Sequence, residues 1–141
     1  MVDPNTFLTP EDAIESLTEA ECRALLAAQT FGRVGLTSGC LPVILPVRYV
    51  YSDGAVTFRT GGGTKLRAAE SGDVLAFEVD AYDTETSEGW SVLVLGRATV
   101  LTTEHEGDGL PTIDPPHPGE PRNHYVRVHC EMVSGRRLTP A

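Results

Sequence analysis

The most constraining feature of this sequence is an alternating stretch at residues 89–99. Its even positions, from Trp90 to Ala98, are apolar or small, and its odd positions include Leu93 and Leu95. Alternation with a period of two is typical of a β-strand, and apolar side chains on both faces indicate that both faces are buried. We therefore predict a strand that lies centrally in a sheet or at a contact between subunits.

Further strand patterns occur on both sides of that stretch. They are predicted at Val34 and Leu36, and over 43–51, 55–60, 74–79 and 125–133. Between two of them, Asp53-Gly54 predicts a tight hairpin turn, because glycine readily adopts the positive φ that such turns require. Since no strand-helix-strand rhythm occurs, about six strands should form a mostly antiparallel sheet that closes as a barrel.

Two short helices complete the predicted elements. Thr18 followed by Glu21 has the spacing of a capping box, so the first helix should begin there and run to about Ala28. A second helical segment, 64–70, follows three consecutive glycines. The predicted fold class is therefore mainly β, of the α+β type, with a short N-terminal helix and small flanking helices.

Length and charge limit the functional classes. The chain has 141 residues and a formal net charge of −9, which favours one acidic domain and argues against a broad nucleic-acid surface. Its longest mostly apolar stretches reach about half of the roughly 20 residues that a membrane-spanning helix needs, so no membrane anchor is expected. Three cysteines without a CxxC spacing favour free thiols and a cytoplasmic location.

The chain divides into an N-terminal tail, residues 1–16, and a single domain, residues 17–141. Within that domain, residues 103–124 are rich in proline, glycine and acids and are predicted to form a long functional or mobile loop. Residues 80–88 are also acidic and are predicted to be a solvated loop.

The segment from Arg59 to Lys65 contains the parts of an anion site. Three glycines at 61–63 leave backbone amides uncovered, and the following helix start adds partial positive charge. Thr60 and Thr64 add hydroxyl groups. The segment is not a P-loop, because its lysine follows a threonine rather than a glycine. The spacing alone leaves open a flexible strand-to-helix turn with solvated charges.

Other reactive side chains have weaker patterns. The four histidines lack close ligand spacing, so we predict no metal site. Glu78 and Asp80 alternate on a strand, and we interpret them as a strand end with one hydrogen-bonded acid rather than a catalytic pair. The cysteines are interpreted as core residues. We assign no catalytic residue.

Six motifs in order give the sequence a family resemblance. They are Phe31-Gly32-Arg33-Val34-Gly35, Leu45-Pro46-Val47-Arg48-Tyr49-Val50, Phe58-Arg59-Thr60, Gly63-Thr64-Lys65-Leu66, Ala76-Phe77-Glu78-Val79-Asp80 and Gly89-Trp90-Ser91-Val92. Together they resemble the pyridoxamine 5'-phosphate oxidase-like, FMN-binding split-barrel family, in its short actinobacterial type. The resemblance covers roughly residues 18–100, with a weaker echo at 133–138.

The resemblance implies a six-stranded antiparallel split barrel that forms a homodimer, with one FMN in each of two clefts between the subunits. It implies the cofactor-binding residues Val47, Arg48, Arg59, Thr60, Thr64, Lys65, Leu66, Trp90 and Ser91. Of these, Thr60, Thr64 and Lys65 would face the phosphate, with Arg59 beside them. Val47 and Arg48 would run along the isoalloxazine ring, and Leu66 would pack near the ribityl chain. Trp90 or Ser91 would come from the partner subunit.

The function implied is that of an FMN-binding oxidoreductase, which moves hydride or electrons between a reduced nicotinamide and a small oxidised acceptor. The true oxidases end in a segment with a tryptophan and an Arg-x-His pair, whereas this chain ends at 135–141 without them. Pyridoxamine phosphate itself is therefore not the expected substrate. Two alternatives stay open: a deazaflavin-dependent reductase on the same fold, and a non-catalytic module that binds flavin or haem.

Overall fold

The computed structural model describes residues 14–61, 63–102, 113 and 124–140. Within these ranges the chain forms two helices, α1 (Glu19–Ala28) and α2 (Thr64–Glu70), and nine strands. The strands are β1 (Ile14–Ser16), β2 (Phe31–Ser38), β3 (Leu41–Arg48), β4 (Val50–Ser52), β5 (Ala55–Thr60), β6 (Val74–Asp83), β7 (Glu88–Thr102), β8 (His124–His129) and β9 (Met132–Leu138). Their pairings are antiparallel.

The long strand β7 belongs to two sheets. Its first part pairs with β6 on one side and β9 on the other. Beyond β6 the first sheet continues to β2 and then β3, and beyond β9 it continues to β1. Its last residues, 98–102, pair with β8, which leads through β5 to β4 in the second sheet. The prediction that residues 89–99 form a central strand is thus confirmed. The prediction that both faces are buried is not met in the single chain: the even-numbered face is buried at 92–98, whereas the odd-numbered face is half-buried from Ser91 to Leu95 and exposed at Arg97 and Thr99. The architecture is that of a split barrel.

The described strands pair in an open order, from β3 at one edge to β4 at the other. The sequence instead predicted a closed barrel of about six strands. The strand count was low partly because two predicted strands are each divided in two. The run 43–51 is divided at Tyr49, where the chain passes from the first sheet to the second, and the run 125–133 is divided by a turn at 130–131.

The structure corrects the bounds of two segments that were predicted to be irregular. Residues 14–16, predicted to belong to a tail, form β1 and pair with β9. In the acidic segment 80–88, β6 continues to Asp83 and β7 begins at Glu88, so that only 84–87 lie outside the strands. The loop predicted at 103–124 lies outside the described residues, apart from Ile113 and His124.

Helix α1 begins at the predicted capping box. The Thr18 hydroxyl accepts a hydrogen bond from the Glu21 amide at 3.1 Å, and the Glu21 carboxylate accepts one from the Thr18 amide at 3.1 Å. Cys22 and Leu26 lie on the buried face of the helix. At the other end, the buried Tyr49 hydroxyl donates to the Leu26 carbonyl at 2.7 Å. The helix is therefore fixed to the point where the chain changes sheets.

The core lies between the two sheets and under the helices. Its largest fully buried side chains are Tyr49, Phe58, Phe77, Leu26, Leu75, Val34, Val56, Val79, Val92, Val94, Val126 and Val128. None of the helices in the described ranges combines the length and the apolar character needed to cross a membrane.

Candidate functional site

The backbone is open at Gly63, which lies between β5 and α2. Gly63 adopts φ 83° and ψ −152° at the helix start, a conformation that favours glycine, and no side chain caps the helix there. A Cβ placed on Gly63 would meet nothing within 4 Å. The turn therefore exposes backbone that a side chain would otherwise cover, which fits the approach of an anionic group.

Three predicted phosphate contacts come together around this turn. Thr60 ends β5 with its side chain fully buried, while Thr64 and Lys65 begin α2 half-buried. The Lys65 ammonium lies 6.0 Å from the centre of the Phe58 ring, which is itself buried in the core. The arrangement provides a cation and a hydroxyl-bearing side chain beside an uncovered turn, and this donor set suits a phosphate.

Arg59 faces the other way. In the β5–β8 ladder Arg59 pairs with Tyr125 and Thr60 pairs with His124, so the side chains of Arg59 and Thr60 lie on opposite faces. The Arg59 guanidinium donates to the Ile113 carbonyl at 2.8 Å and lies 5.5 Å from the centre of the Tyr125 ring. Its position favours anchoring of Ile113, which is buried, over contact with a ligand at the turn.

Side chains alternate between the two faces of a strand, so Val47 and Arg48 lie on opposite faces of β3. Val47 is buried in the core, whereas Arg48 is exposed on the outer face. A ligand along this part of β3 would therefore meet the Arg48 side chain and the backbone, not the Val47 side chain. Leu66 is half-buried on α2.

The backbone of β3 is available because β3 is an edge strand. The Tyr49 amide donates to the Thr30 carbonyl at 3.0 Å, and antiparallel ladders alternate, so the even-numbered residues of β3 direct their backbone groups outward. Pro42 and Pro46 occupy two of those outward positions and have no N–H to offer. The edge is thereby protected against pairing with another strand, while Arg48 keeps an outward N–H group.

Trp90 and Ser91 lie in the first sheet, near the start of β7. Trp90 lines a cavity of about 380 Å³ together with Tyr82 and Arg137, among others. Ser91 projects from the opposite face of the strand, so only one of the two side chains can face a given cleft. The sequence left open whether Trp90 or Ser91 contacts the cofactor of the partner subunit. The two side chains lie on opposite sides of the sheet, so each would serve a cleft on a different side.

A charged cluster lies on the outer face of the first sheet. The sequence interpretation gave Glu78 and Asp80 as strand residues with a hydrogen-bonded acid, and the structure adds Arg33 as the donor. Arg33 on β2 contacts both Glu78 and Asp80 on β6, at 2.9 and 3.2 Å. Burial and the adjacent Asp80 carboxylate raise the pKa of Glu78 to about 7, against the opposing effect of Arg33. A cavity of about 360 Å³ beside the cluster is lined by Gly35, Ile44, Ala76 and Leu93. Only the strand register could have shown that Arg33 meets these two acids.

His124 is a second residue that the sequence did not connect with the site. It pairs with Thr60 across the β5–β8 ladder, and its Nδ1 atom is buried without a hydrogen-bond partner in the structure. Within the described ranges, no group of three or more His, Cys, Asp or Glu side chains is arranged to hold a metal ion.

Comparison with known proteins gives a consistent family assignment. The sequence model of the family described as pyridoxamine 5'-phosphate oxidase matches residues 18–137. An uncharacterized protein of Mycobacterium tuberculosis is 32% identical over 137 residues, which cover 92% of this chain and 90% of that protein.

Solved structures show the same fold. The FAD binding protein from Mycobacterium smegmatis is 32% identical, with a TM-score of 0.64, over 89% of this chain and 99% of that one. A conserved protein of unknown function from Corynebacterium diphtheriae is 32% identical, with a TM-score of 0.70, over 91% of this chain and 100% of that one.

Proposed function

This chain belongs to the pyridoxamine 5'-phosphate oxidase family, and on that basis we propose that it is a flavin-dependent oxidoreductase. In this proposal it moves hydride or electrons between a reduced nicotinamide and a small oxidised acceptor. The observation that carries the proposal is the open turn at Gly63, with Lys65 and Thr64 beside it. We also propose a cytoplasmic location, which the three unpaired cysteines support.

The chain's own residues would bind and orient the cofactor. Lys65 would neutralise the phosphate, and Thr64 would add a hydroxyl donor from the first turn of α2. Arg48, exposed at the end of β3, would place a positive charge beside the ring. A bound flavin itself supplies the hydride and electron chemistry, so that no acid or base has to be assigned.

The identity of the flavin nucleotide is a separate part of the proposal. The family resemblance implied FMN, whereas a relative at 32% identity is an FAD binding protein. FMN and FAD have the same phosphate next to the ribityl chain, so the turn at Gly63 can serve either. The β5–α2 turn is thus proposed as the site of that shared phosphate.

We expect Lys65→Ala to loosen FMN binding by roughly 10- to 150-fold. The substitution removes a charge-assisted contact to phosphate of about 1.5–3 kcal/mol. The measurement is a titration of FMN followed by flavin fluorescence. Riboflavin, which lacks the phosphate, is the internal control, and its affinity should be the same in both proteins.

An unchanged FMN affinity in the Lys65→Ala protein would contradict this location of the phosphate. Titration with the deazaflavin coenzyme alongside FMN tests the cofactor class. Oxidation of a reduced nicotinamide by the FMN-loaded protein then tests catalysis, and a bound flavin that no nicotinamide reduces would contradict the proposed reaction.

A homodimer is the second part of the proposal, because one chain does not bring all the predicted contacts to one place. Thr60 and Thr102 both pair with His124, so they lie at the same level of the second sheet. Trp90 lies twelve residues from Thr102 along β7, a length along the strand of about 40 Å at roughly 3.3 Å per residue. A flavin held at the turn would therefore receive Trp90 or Ser91 from a partner subunit.

The outer face of the first sheet is the surface we propose for that partner. Ile44 is 72% exposed there, above the apolar cavity that also contains Leu93 and Ala76. Exposed apolar side chains that cluster on one sheet face are typical of a protein interface. The Arg33 cluster adjoins the same surface and provides charges of both signs for a self-complementary contact.

We expect Ile44→Asp to weaken self-association by about 100-fold or more, because it would bury an unpaired carboxylate in the interface. Sedimentation across a range of protein concentrations measures the change. Leu41→Asp is the matched control: Leu41 is on the same strand and 68% exposed, but belongs to the set of residues that project from the other face. Equal dimer stability in the wild-type and Ile44→Asp proteins would exclude this face.

A further inference from the structure

The surface proposed for self-association carries more carboxylates than cations. Arg33, Glu78 and Asp80 line the same cavity of about 360 Å³ as the exposed Ile44. The strand register brings them together, because Glu78 on β6 pairs with Arg33 on β2. A partner seated on Ile44 would therefore also cover one guanidinium and two carboxylates.

A single nitrogen of Arg33 serves both acids. Its Nη1 atom donates to the Glu78 carboxylate at 2.9 Å and to the Asp80 carboxylate at 3.2 Å. In the single chain the side chains of Glu78 and Asp80 keep 32% and 41% exposure, so water still solvates the charge that Arg33 does not balance. A partner that covers the cavity would remove that water.

The strands around the cluster place no second cation directly beside the two acids in the described register. On β7 the residue opposite Glu78 is Leu93 and the residue opposite Asp80 is Ser91. The other charged side chains of this sheet face occupy other positions in the ladder: Arg48 opposite Phe31, Arg136 opposite Ser91 and Arg97 opposite Val74. The charge of the two acids is therefore balanced locally by Arg33.

A proton on one carboxyl group of each subunit would remove the excess charge. A two-fold interface buries the same cluster from both subunits, so two uncompensated negative charges would lose their water together, which is costly. A protonated carboxyl group can instead donate a hydrogen bond to the neighbouring carboxylate. Glu78 can take up that proton near neutral pH, since burial and the Asp80 carboxylate raise the pKa of Glu78 to about 7.

We propose that Glu78 and Asp80 share one proton in the dimer, so that self-association through this face takes up a proton in each subunit. This rests on the proposed function, since it requires the outer face of the first sheet to be the dimer surface. The protonated cluster is neutral and fits the interface, whereas the ionised cluster opposes it. Dimer affinity is therefore highest below the pKa of Glu78 and falls as the pH rises through that pKa.

The test measures the dimer dissociation constant by sedimentation at about pH 6 and about pH 8. For the wild-type protein we expect it to be about 100-fold larger at the higher pH, because each of the two protons contributes about tenfold. Glu78→Gln keeps a neutral side chain beside the Arg33–Asp80 pair, so at the higher pH it should dimerise as tightly as the wild-type protein does at the lower pH.

Two further variants separate the shared proton from a general effect of charge. Asp80→Asn leaves Glu78 alone with Arg33, so it should also remove the pH dependence. Glu70→Gln is the matched control: it removes an exposed carboxylate at the end of α2, away from the sheet face, and changes the net charge by the same amount. This control should keep the pH dependence of the wild-type protein. Circular dichroism at both pH values verifies the fold of each variant.

Different results would contradict the shared proton and the dimer surface itself. If the wild-type dimer is equally tight at both pH values, or if its pH dependence persists in Glu78→Gln, the shared proton is wrong. A Glu78→Gln protein that dimerises less tightly than the wild-type protein at the higher pH would show that a cation of the partner pairs with the carboxylate instead. In each of these cases a weaker dimer in Ile44→Asp, measured at the lower pH, leaves the surface standing. If Ile44→Asp dimerises normally, both proposals are wrong.

Discussion

Gly96→Ala is expected to lower the free energy of unfolding by about 3–5 kcal/mol, a large share of the stability of a single domain. A Cβ on Gly96 would lie 1.6 Å from the His129 carbonyl oxygen and 2.7 Å from its carbon. Those atoms are at the end of β8, directly before the turn to β9. The chain passes over β7 there, where the partner of β7 changes from β9 at Leu95 to β8 at Ala98. Because the clash is with backbone, no rotamer change can relieve it.

Chemical denaturation of the wild-type and variant proteins measures this effect. Gly35→Ala is the matched control, since a Cβ there would meet the Ala76 side chain at 3.4 Å, an ordinary contact. We expect that control to change stability by less than about 1 kcal/mol. If Gly96→Ala were as stable as Gly35→Ala, the close passage of the β8–β9 turn over β7 would be wrong.

Tyr49→Ala is expected to destabilise the protein by about 3–5 kcal/mol, because it removes a large buried ring and leaves a cavity. The ring packs edge-on against Phe77, with centroids 4.6 Å apart, and only 2% of Tyr49 is exposed. Its hydroxyl donates to the Leu26 carbonyl near the end of α1. Burial raises the pKa of Tyr49, so the hydroxyl keeps its proton and stays a donor at neutral pH.

Tyr49→Phe separates the hydroxyl from the ring. This variant keeps the packing and leaves the buried Leu26 carbonyl without its partner, so we expect a loss of about 1–2 kcal/mol. Thermal or urea unfolding of both variants gives the comparison. A loss of stability in Tyr49→Phe as large as that in Tyr49→Ala would show that the ring contributes little, contrary to the structure.

Local sequence signals predicted the elements that depend on interactions between residues close together in the chain. The Thr18 and Glu21 capping box gave the start of α1, because its two hydrogen bonds involve neighbouring residues alone. Asp53 and Gly54 gave the hairpin turn, and both adopt positive φ, at 52° and 72°. Helix α2 was predicted over the residues where it occurs, 64–70.

The elements that were not predicted from the sequence depend on tertiary contacts. Strand β1 has three residues, too few for any period, and exists because it pairs with β9. The turn after β8 occurs at Cys130 and Glu131, which carry no glycine or proline signal, and is bridged by a hydrogen bond from the Glu131 amide to the His129 carbonyl. The end of β6, residues 80–83, was predicted to belong to a solvated loop because of its acids, although exposed acids are compatible with the outer face of a strand.

The candidate site was predictable in part for the same reason. The glycine turn with Lys65 is a local feature and was identified from the residue order. Which of Val47 and Arg48, or of Arg59 and Thr60, faces a ligand follows from alternation once the buried face is known. The approach of the β2–β3 turn to α2, where Ser38 and Arg67 line one groove, is a tertiary contact that no local pattern indicates.

The shared strand β7 also determines how this protein can be divided. A fragment that ends before Glu88 would contain β1 to β6 but would lack the strand that joins the two sheets. A fragment that begins at Glu88 would retain β7, β8 and β9 without the strands that cover them. Neither half has a complete core, so split-protein designs and terminal truncations that cut through β7 would yield pieces that fold only in each other's presence.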